Sequence, residues 1–395
     1  MTGMQSGEFK FPSIASVVFG RGSVQRLPEK VEELGAKRVL VVTVQPVLTE
    51  TDLVERVKNA LGVFYVGAFD GVLQHVPRQC VIEGAEMARE VGADILISVG
   101  GSSAADAAKA INLVLTEGDG LHRFFDKFDS MGDVPASQYE KIKIPQISIP
   151  TTLSGGEFRP VAGITDTKRK IKESIFSASL APKVVILDPD MTVFTPKELW
   201  AATGMKTLSD SFSKVCSMKP LPFSDALQLD AIRLINSYLM PSLAEPLDLE
   251  ARSMLLHASW ESAYGDSAAG MGLGIIAALR HQIGAGYNVP HGVASCIIFP
   301  YGLDFYRPVI DDSLVAIARA LELPIKAPGE TSDAVVHRVK ELIGEIGLPT
   351  RLRDVGVPKE ALEAIALASF HDSVARETLT KLDMRSLLDV LEEAW

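Results

Sequence analysis

Residues 94–109 read DILISVGGSSAADAAK, and this stretch decides the fold class. Residues 94–99 form an apolar run of strand length, and Gly100 and Gly101 follow it directly. From Ala104 onward, apolar residues recur at the three- and four-residue spacing of an α-helix. A buried strand that turns through glycines into a helix is typical of a parallel, doubly wound sheet.

The same alternation of strand and helix patterns extends through the first half of the chain. Apolar runs of strand length occupy residues 38–43, 62–66, 144–149 and 183–187, and helical patterns occupy residues 24–34, 51–61, 77–91 and 104–115. After Thr195-Pro196 β-branched runs become sparse and helical patterns dominate. The sequence therefore predicts an α/β dinucleotide-binding domain over residues 1–190, followed by an all-helical catalytic or substrate domain over residues 191–395.

Composition places the chain among ordinary water-soluble enzymes. It has 395 residues, 47% of them apolar, and a net charge of −11. The negative charge argues against a nucleic-acid or anionic-membrane partner. No apolar run reaches the ~18 residues of a membrane span, and no signal-peptide pattern opens the chain. Three widely spaced cysteines show no metal or redox motif. These features predict a cytoplasmic protein.

Two small-residue loops are candidates for nucleotide binding. Gly100 and Gly101 lie where a strand turns into a helix, and backbone N–H groups at such a turn attract phosphate. Residues 150–157, PTTLSGGE, follow the next predicted strand and are rich in hydroxyl groups. Loops at the carboxyl ends of neighbouring parallel strands are where open α/β sheets bind ligands.

A third motif carries two of the histidines. Residues 284–292 read GAGYNVPHG, and a helix predicted over residues 272–283 presents Arg280 and His281 at its end. The loop then brings back His291. Such a histidine pair serves as metal ligands, as acid–base groups, or as hydrogen-bonded structural residues, and the pattern alone leaves all three open.

These motifs carry a family resemblance. Segments at 19–23, 100–109, 150–157, 187–189, 204–205 and 288–292 occur in the order of the iron-containing (group III) alcohol dehydrogenase family. That family has the dehydroquinate-synthase-like fold. Within it, the chain most resembles the maleylacetate reductase branch, in the loop after Pro150 and in segments 69–77 and 163–165. The resemblance implies hydride transfer between NAD or NADP and a small keto or carboxylate substrate.

The resemblance also implies a set of cofactor-binding residues. Gly100, Gly101 and Ser102 would hold the pyrophosphate, Asp106 would lie near the nicotinamide, Thr151, Thr152 and Leu153 would line the cofactor, Lys170 (or Lys172) would reach a ribose hydroxyl, and Leu187 would pack on the cofactor. Members that prefer NAD often carry an acidic residue after the first strand, whereas Thr43 is followed here by Val44. The choice between NAD and NADP therefore stays open.

Of the metal ligands that the resemblance implies, only His291 is retained as a good ligand. In the family, the stretch at 204–210 reads Gly-Met-Asp-Ala-Leu-x-His and supplies two ligands, whereas here those positions carry Lys206 and Asp210. The other two ligand positions map to Ala277 and His291. An ammonium group has no lone pair for a cation. We therefore expect no catalytic metal.

A metal-independent mechanism is the resulting hypothesis. Lys206 and Asp210 are four residues apart and share one helical face. They either form a salt bridge that fills the metal position, or Lys206 replaces the charge of the metal and steadies an oxyanion or a substrate carboxylate. Arg280 would clamp a second carboxylate, and His281 or His291 would relay a proton. A Schiff base on Lys206 is a further alternative.

Other functions are compatible with the same motifs. One is a repurposed family member in a biosynthetic pathway that acts on another carbonyl or hydroxyl substrate, including in the oxidising direction. Another is a cofactor-binding protein without catalysis. We expect a homodimer, the commonest assembly, with residues 194–200 and the terminal helix to Trp395 as candidate contacts. His371-Asp372 is interpreted as a surface pair.

Overall fold

The computed structural model of the chain describes residues 11, 13–117, 143–168, 171–217, 220–266, 272–376 and 378–395. An N-terminal α/β region with a parallel sheet is followed by a helical region. This arrangement confirms the predicted fold class.

The sheet has six parallel strands in the order β1-β8-β5-β4-β2-β3. Its strands are β1 Ser16–Phe19, β2 Val39–Val42, β3 Tyr65–Phe69, β4 Ile95–Gly100, β5 Gln146–Pro150 and β8 Val184–Leu187. A separate antiparallel hairpin consists of β6 Val161–Asp166 and β7 Ile171–Phe176. Every residue of β2, β4, β5 and β8 is buried, as expected of strands covered on both faces.

Helices cover the sheet on both faces. They are α1 Leu27–Glu33, α2 Gln45–Thr49, α3 Leu53–Leu61, α4 Arg78–Glu90 and α5 Ser102–Glu117. The strand predicted over residues 62–66 is displaced in the structure, because Gly62 ends α3 with φ of 53° and a 3₁₀ turn occupies Gly62–Phe64 before β3. Strand β1 and the β6–β7 hairpin were not predicted.

The second half of the described chain is helical. Its helices are α6 Lys197–Val215, α7 Pro222–Ala244, α8 Leu249–Asp266, α9 Gly274–Tyr287, α10 His291–Ala320, α11 Pro328–Ile346, α12 Leu362–Phe370 and α13 Met384–Ala394. Arg280 was predicted at the end of a helix but lies in the middle of α9. The helix continues to Tyr287 because Asn288 supplies the left-handed cap, with φ of 54°.

The sheet order places a crevice at the ends of β2 and β4. The chain leaves β2 for β3 on one side and leaves β4 for β5 on the other. Ligands bind at such a switch point, outside the carboxyl ends of the strands. The Thr43 hydroxyl donates a hydrogen bond to the Val99 carbonyl at 2.7 Å and joins the two strand ends. Within the described residues, no helix is long and apolar enough to cross a membrane.

Candidate active site

The turn after β4 has the shape of a phosphate cradle. Gly100 has φ of 146°, a conformation that side chains rarely adopt. A Cβ at Gly101 would lie 3.1 Å from the Thr152 side chain, so the loop after β5 packs directly against this backbone. Helix α5 begins at Ser102 and directs its first N–H groups toward the crevice. The residues present therefore fit a dinucleotide pyrophosphate.

Hydroxyl groups join this turn to the loop after β5. The Ser102 hydroxyl donates to Ser154 Oγ at 2.7 Å, and Ser154 Oγ lies 2.9 Å from Thr152 Oγ1. A Cβ at Gly156 would come within 2.5 Å of Ser102 Oγ. The two loops that the sequence indicated as nucleotide-binding therefore form one surface.

The Lys109 side chain also binds the loop after β5. Its fully buried ammonium donates to the carbonyls of Gly156 at 2.6 Å and Val161 at 2.9 Å, and lies 3.4 Å from Asp106 Oδ1. Burial lowers the pKa of Lys109, with Asp106 opposing that shift. Asp106 Oδ2 in turn accepts from the Gly163 N–H at 3.2 Å. Both carboxylate oxygens of Asp106, expected near the nicotinamide, are thus bonded within the protein.

The remaining predicted cofactor residues lie at or just beyond the ends of β5 and β8, next to the helical region. Leu153 is buried in the core of the helical region, and its carbonyl accepts from Thr207 Oγ1 at 2.5 Å and Ser259 Oγ at 3.0 Å. Thr151 and Leu187 are buried at the strand ends. Lys170 lies outside the described residues.

One carboxylate at the predicted catalytic position is shared by three cations. Asp210, on α6, lies 2.7 Å from Lys206 Nζ, 2.9 Å from Arg159 Nη2 and 3.0 Å from Arg280 Nη1. Burial raises the pKa of Asp210, but the three cations outweigh that effect and hold it well below its usual range. Arg280, expected to be available for a substrate carboxylate, also donates to Ser295 Oγ at 3.1 Å.

Lys206 connects this cluster to the nucleotide loop. The ion pair with Asp210 that the i, i+4 spacing allows is present, and Nζ also donates to the Ser154 carbonyl at 3.2 Å. Burial, then the neighbouring Arg159, lowers the pKa of Lys206 to about 8. A largely buried ammonium group therefore lies between the predicted cofactor loop and α6.

A divalent metal does not fit this donor set. Asp210 already accepts from three cations, Lys206 offers no lone pair, and Ala277 has no donor at all. Among the described residues, no group of three or more His, Cys, Asp or Glu side chains is arranged to hold a metal ion. A tetrahedral or octahedral site needs four to six donors.

Three imidazole rings form a chain beside the cluster. The ring centroid of His291 lies 5.7 Å from that of His75 and 5.9 Å from that of His281. His281 Nδ1 lies 3.0 Å from Asp372 Oδ2, which also accepts from Gln282. The interpretation of Asp372 as a surface residue is therefore wrong, because its carboxylate is largely buried against α9.

Sequence reasoning missed several residues of the site. Glu157 is the last residue of the small-residue loop and Arg159 lies two residues beyond it, so a charged pair at the end of a predicted ligand loop was an available signal. Glu157 is fully buried, and burial raises its pKa to about 7. His75 stands in the left-handed region with φ of 64°, and its carbonyl accepts from Thr165 Oγ1 at 2.6 Å. Nothing local in the sequence indicates that His75 faces His291.

A small pocket of about 80 Å³ opens on the side of Asp210 along α6. Its walls come from Arg159, which follows the loop after β5, from α6, and from α9 together with Leu273, the residue that precedes α9. The lining residues are Arg159, Ser209, Asp210, Ser213, Lys214, Leu273, Ile276, Ala277 and Arg280.

Comparison with known proteins settles the family. Residues 15–189 match the iron-containing alcohol dehydrogenase model, and residues 200–395 match the C-terminal model of the Fe-containing alcohol dehydrogenase family. The chain belongs to the iron-containing alcohol dehydrogenase family. It is an oxidoreductase, as the relatives of this family are.

Relatives with similar sequence identity to this chain are named for different substrates. It is 29% identical to the NAD-dependent methanol dehydrogenase of Bacillus methanolicus, over 95% of this chain and 97% of the relative. It is 28% identical to the maleylacetate reductase of Burkholderia cepacia, over 89% of this chain and 88% of that enzyme. A solved 1,3-propanediol oxidoreductase superposes with a TM-score of 0.90 at 25% identity, over 98% of this chain and 100% of that one. Family membership is thus confirmed, and the maleylacetate reductase branch remains a prediction.

Proposed function

We propose that this oxidoreductase transfers a hydride between NAD(P)H and a small carbonyl substrate that carries an anionic group, without a catalytic metal. One observation carries the proposal: the largely buried ammonium of Lys206, at a position where the resemblance implies a metal ligand in the family, contacts the predicted nucleotide loop. The expected cofactor is NAD or NADP, because Val44 after β2 supplies no carboxylate to discriminate between them.

Lys206 supplies positive charge where the substrate oxygen becomes negative. When bound, NAD(P)H provides the hydride. The Lys206 ammonium is held in place by Asp210 and the Ser154 carbonyl, so it needs little reorganisation to donate to a developing oxyanion. Burial of the site strengthens this interaction relative to water.

The histidines provide a route for the proton. His291 begins α10 beside the cluster, and its ring is adjacent to that of His281. Asp372 holds His281 through Nδ1, which leaves the other ring nitrogen for proton exchange. The His281 side chain is 37% exposed, so this end of the route reaches solvent.

A second candidate is an alcohol substrate, as the methanol dehydrogenase relative suggests. The name of that relative supports a neutral substrate. Its sequence identity to this chain, 29%, is close to the 28% of the maleylacetate reductase. The cations around Asp210 favour the anionic substrate, because they attract an anion more strongly than a neutral alcohol.

The test is consumption of NADH and NADPH with maleylacetate, using enzyme stripped by a chelator. Turnover that added iron or zinc does not increase would support the proposal. A requirement for metal would refute metal independence. Cofactor binding without turnover of maleylacetate would exclude that substrate, and oxidation of methanol or 1,3-propanediol would then favour the second candidate.

A further inference from the structure

Ser154 links the glycine turn after β4 to Lys206, and it makes the two contacts with different groups. Its hydroxyl accepts a hydrogen bond at 2.7 Å from Ser102, the first residue of α5. Its backbone carbonyl accepts a hydrogen bond at 3.2 Å from the Lys206 ammonium. Because both contacts belong to one residue, a displacement of the turn reaches the ammonium through Ser154 alone.

The backbone of the loop beside Ser154 is held by one face of α6. The Leu153 N–H donates to Thr203 Oγ1 at 3.2 Å, and the Leu153 carbonyl accepts from Thr207 Oγ1 at 2.5 Å. Thr203, Lys206 and Thr207 are spaced three and four residues apart, so they share one helical face. This face of α6 therefore fixes the backbone of residues 153–154, and the Leu153 side chain is buried in the core of the helical region.

The side chains on the other side of the loop contact the glycine turn. Ser154 Oγ lies 2.9 Å from Thr152 Oγ1, and a Cβ at Gly101 would lie 3.1 Å from the Thr152 side chain. A serine hydroxyl has one donor and two acceptor sites, and Ser102 and Thr152 engage two of these within the protein. This arrangement favours a role in positioning over a direct contact with the cofactor.

We propose that Ser154 is a positioning residue, which fixes the distance between the turn that holds the cofactor pyrophosphate and the Lys206 ammonium that donates to the substrate oxygen. The inference rests on the proposed function, because it requires that Lys206 acts on the substrate. Loss of such a contact should reduce the rate, since displacement of a reacting group by about 1 Å costs about 100-fold. The affinity for the cofactor should change little, because the backbone N–H groups that attract its phosphates remain.

The test is a double-mutant cycle between Ser154 and Lys206, with NADH and whichever of maleylacetate, methanol and 1,3-propanediol the wild type turns over. Ser154→Ala removes the hydroxyl and keeps the backbone carbonyl, and we expect kcat to fall about tenfold. The dissociation constant of NADH, measured by fluorescence, should change less than about twofold. In the Lys206→Met background the same substitution should change kcat less than about twofold, because the group that Ser154 positions is absent. Ser154→Thr retains a hydroxyl and should bring kcat to within about threefold of the wild type.

Ser259→Ala is the matched control. It removes another buried serine hydroxyl that bonds the same loop, where it donates to the Leu153 carbonyl at 3.0 Å. That carbonyl keeps Thr207 as a donor, and it is one residue away from the carbonyl that Lys206 uses. We therefore expect kcat of Ser259→Ala to stay within about twofold of the wild type.

The outcomes separate the inference from the proposed function. Equal kcat in wild type and Ser154→Ala, or an equal loss in Ser259→Ala, would overturn the inference alone. Losses that multiply in the double variant would also overturn it, because Ser154 would then act independently of Lys206. Wild-type kcat in Lys206→Met, or no turnover of any of the three substrates, would refute the proposed function and the inference together.

Discussion

Lys206 is the residue on which the metal-free mechanism depends. Lys206→Met keeps the length of the side chain and removes its charge, so we expect kcat to fall about 100-fold or more with NADH affinity unchanged. The Lys197→Met variant, exposed on the same helix, should retain wild-type kcat. Unchanged turnover in Lys206→Met would reduce Lys206 to a structural partner of Asp210.

The pH dependence of turnover follows from the same residue. The pKa of Lys206 is lowered to about 8, first by burial and then by Arg159. As the pH rises through 8 the ammonium loses its proton and no longer donates to an oxyanion, so kcat should fall above that pH. Lys206→Arg keeps the charge, because guanidinium does not titrate in this range, and should remove the alkaline limb at lower kcat. A limb that persists in Lys206→Arg would assign it to another group.

Glu157 makes stability depend on pH in the opposite sense to an ordinary carboxylate. Burial raises its pKa from 4.5 to about 7. Between these values the folded state binds more protons than the unfolded state, so stability falls as the pH rises toward 7, by about 3 kcal/mol at most. Glu157→Gln cannot ionise, and we expect its melting temperature to decline less between pH 5 and pH 8. Exposed Glu32→Gln is the matched control, and equal declines in both variants would contradict the assignment.

At the scale of elements, Lys109 joins α5 to the loop after β5 and to β6. Its ammonium bonds two backbone carbonyls and approaches Asp106. Lys109→Met leaves these buried acceptors unpaired, so we expect a loss of about 3–5 kcal/mol of stability and weaker NADH binding through the displaced loop. Thermal unfolding and NADH titration measure the two effects. Exposed Lys58→Met on α3 should change neither, and a fully stable Lys109→Met would disprove the role of this lysine.

The elements themselves follow from the sequence where local patterns decide them. Strands β2, β4, β5 and β8 are buried on both faces, so they appear as continuous apolar runs. Strand β1 is only partly buried, and β6 includes glycine and polar residues, so neither was recognised as a continuous apolar run. The start of β3 was misplaced because periodicity does not locate the turn at Gly62.

The site was predictable only in its local parts. The spacing of Lys206 and Asp210 alone places them on one helical face, and the glycines after β4 alone indicate a phosphate-binding turn. By contrast, Arg159 reaches Asp210 across 51 residues and His281 reaches Asp372 across 91. Such pairs depend on how α9, α12 and the loop after β5 pack together, which no local pattern encodes. The spacing therefore predicts the pairing of Asp210 with Lys206, but not its contacts with Arg159 and Arg280.

On the scale of the whole molecule, the site draws on both regions of the fold. Lys206 of the helical region bonds the Ser154 carbonyl of the sheet region, and the ring of His291 lies beside that of His75. Changes in the relative position of the two regions would alter both contacts at once. The histidine route and the ammonium are thus assembled only in the folded, two-part molecule.

The β1 side of the sheet bears on assembly. Strand β1 is at one edge, and Phe19 at its end is 58% exposed beside His257 and Trp260. The Phe11 side chain is 62% exposed, and its ring lies against that of Phe223. An edge strand flanked by exposed aromatic rings favours association. Trp200, at the end of the segment expected to supply contacts, is fully buried, whereas Phe194 and Leu199 of that segment are 44% and 42% exposed.

We therefore expect a homodimer that forms through the β1 edge. Phe19→Asp places a charge in the apolar patch and should weaken the dimer. We expect its dissociation constant, measured by sedimentation velocity, to be about tenfold higher than that of the wild type. Phe370→Asp makes the same change at a ring on α12 that is 40% exposed and should leave the sedimentation coefficient unchanged. A wild-type protein that sediments as a monomer would contradict the dimer, and equal dissociation of both variants would move the interface away from β1.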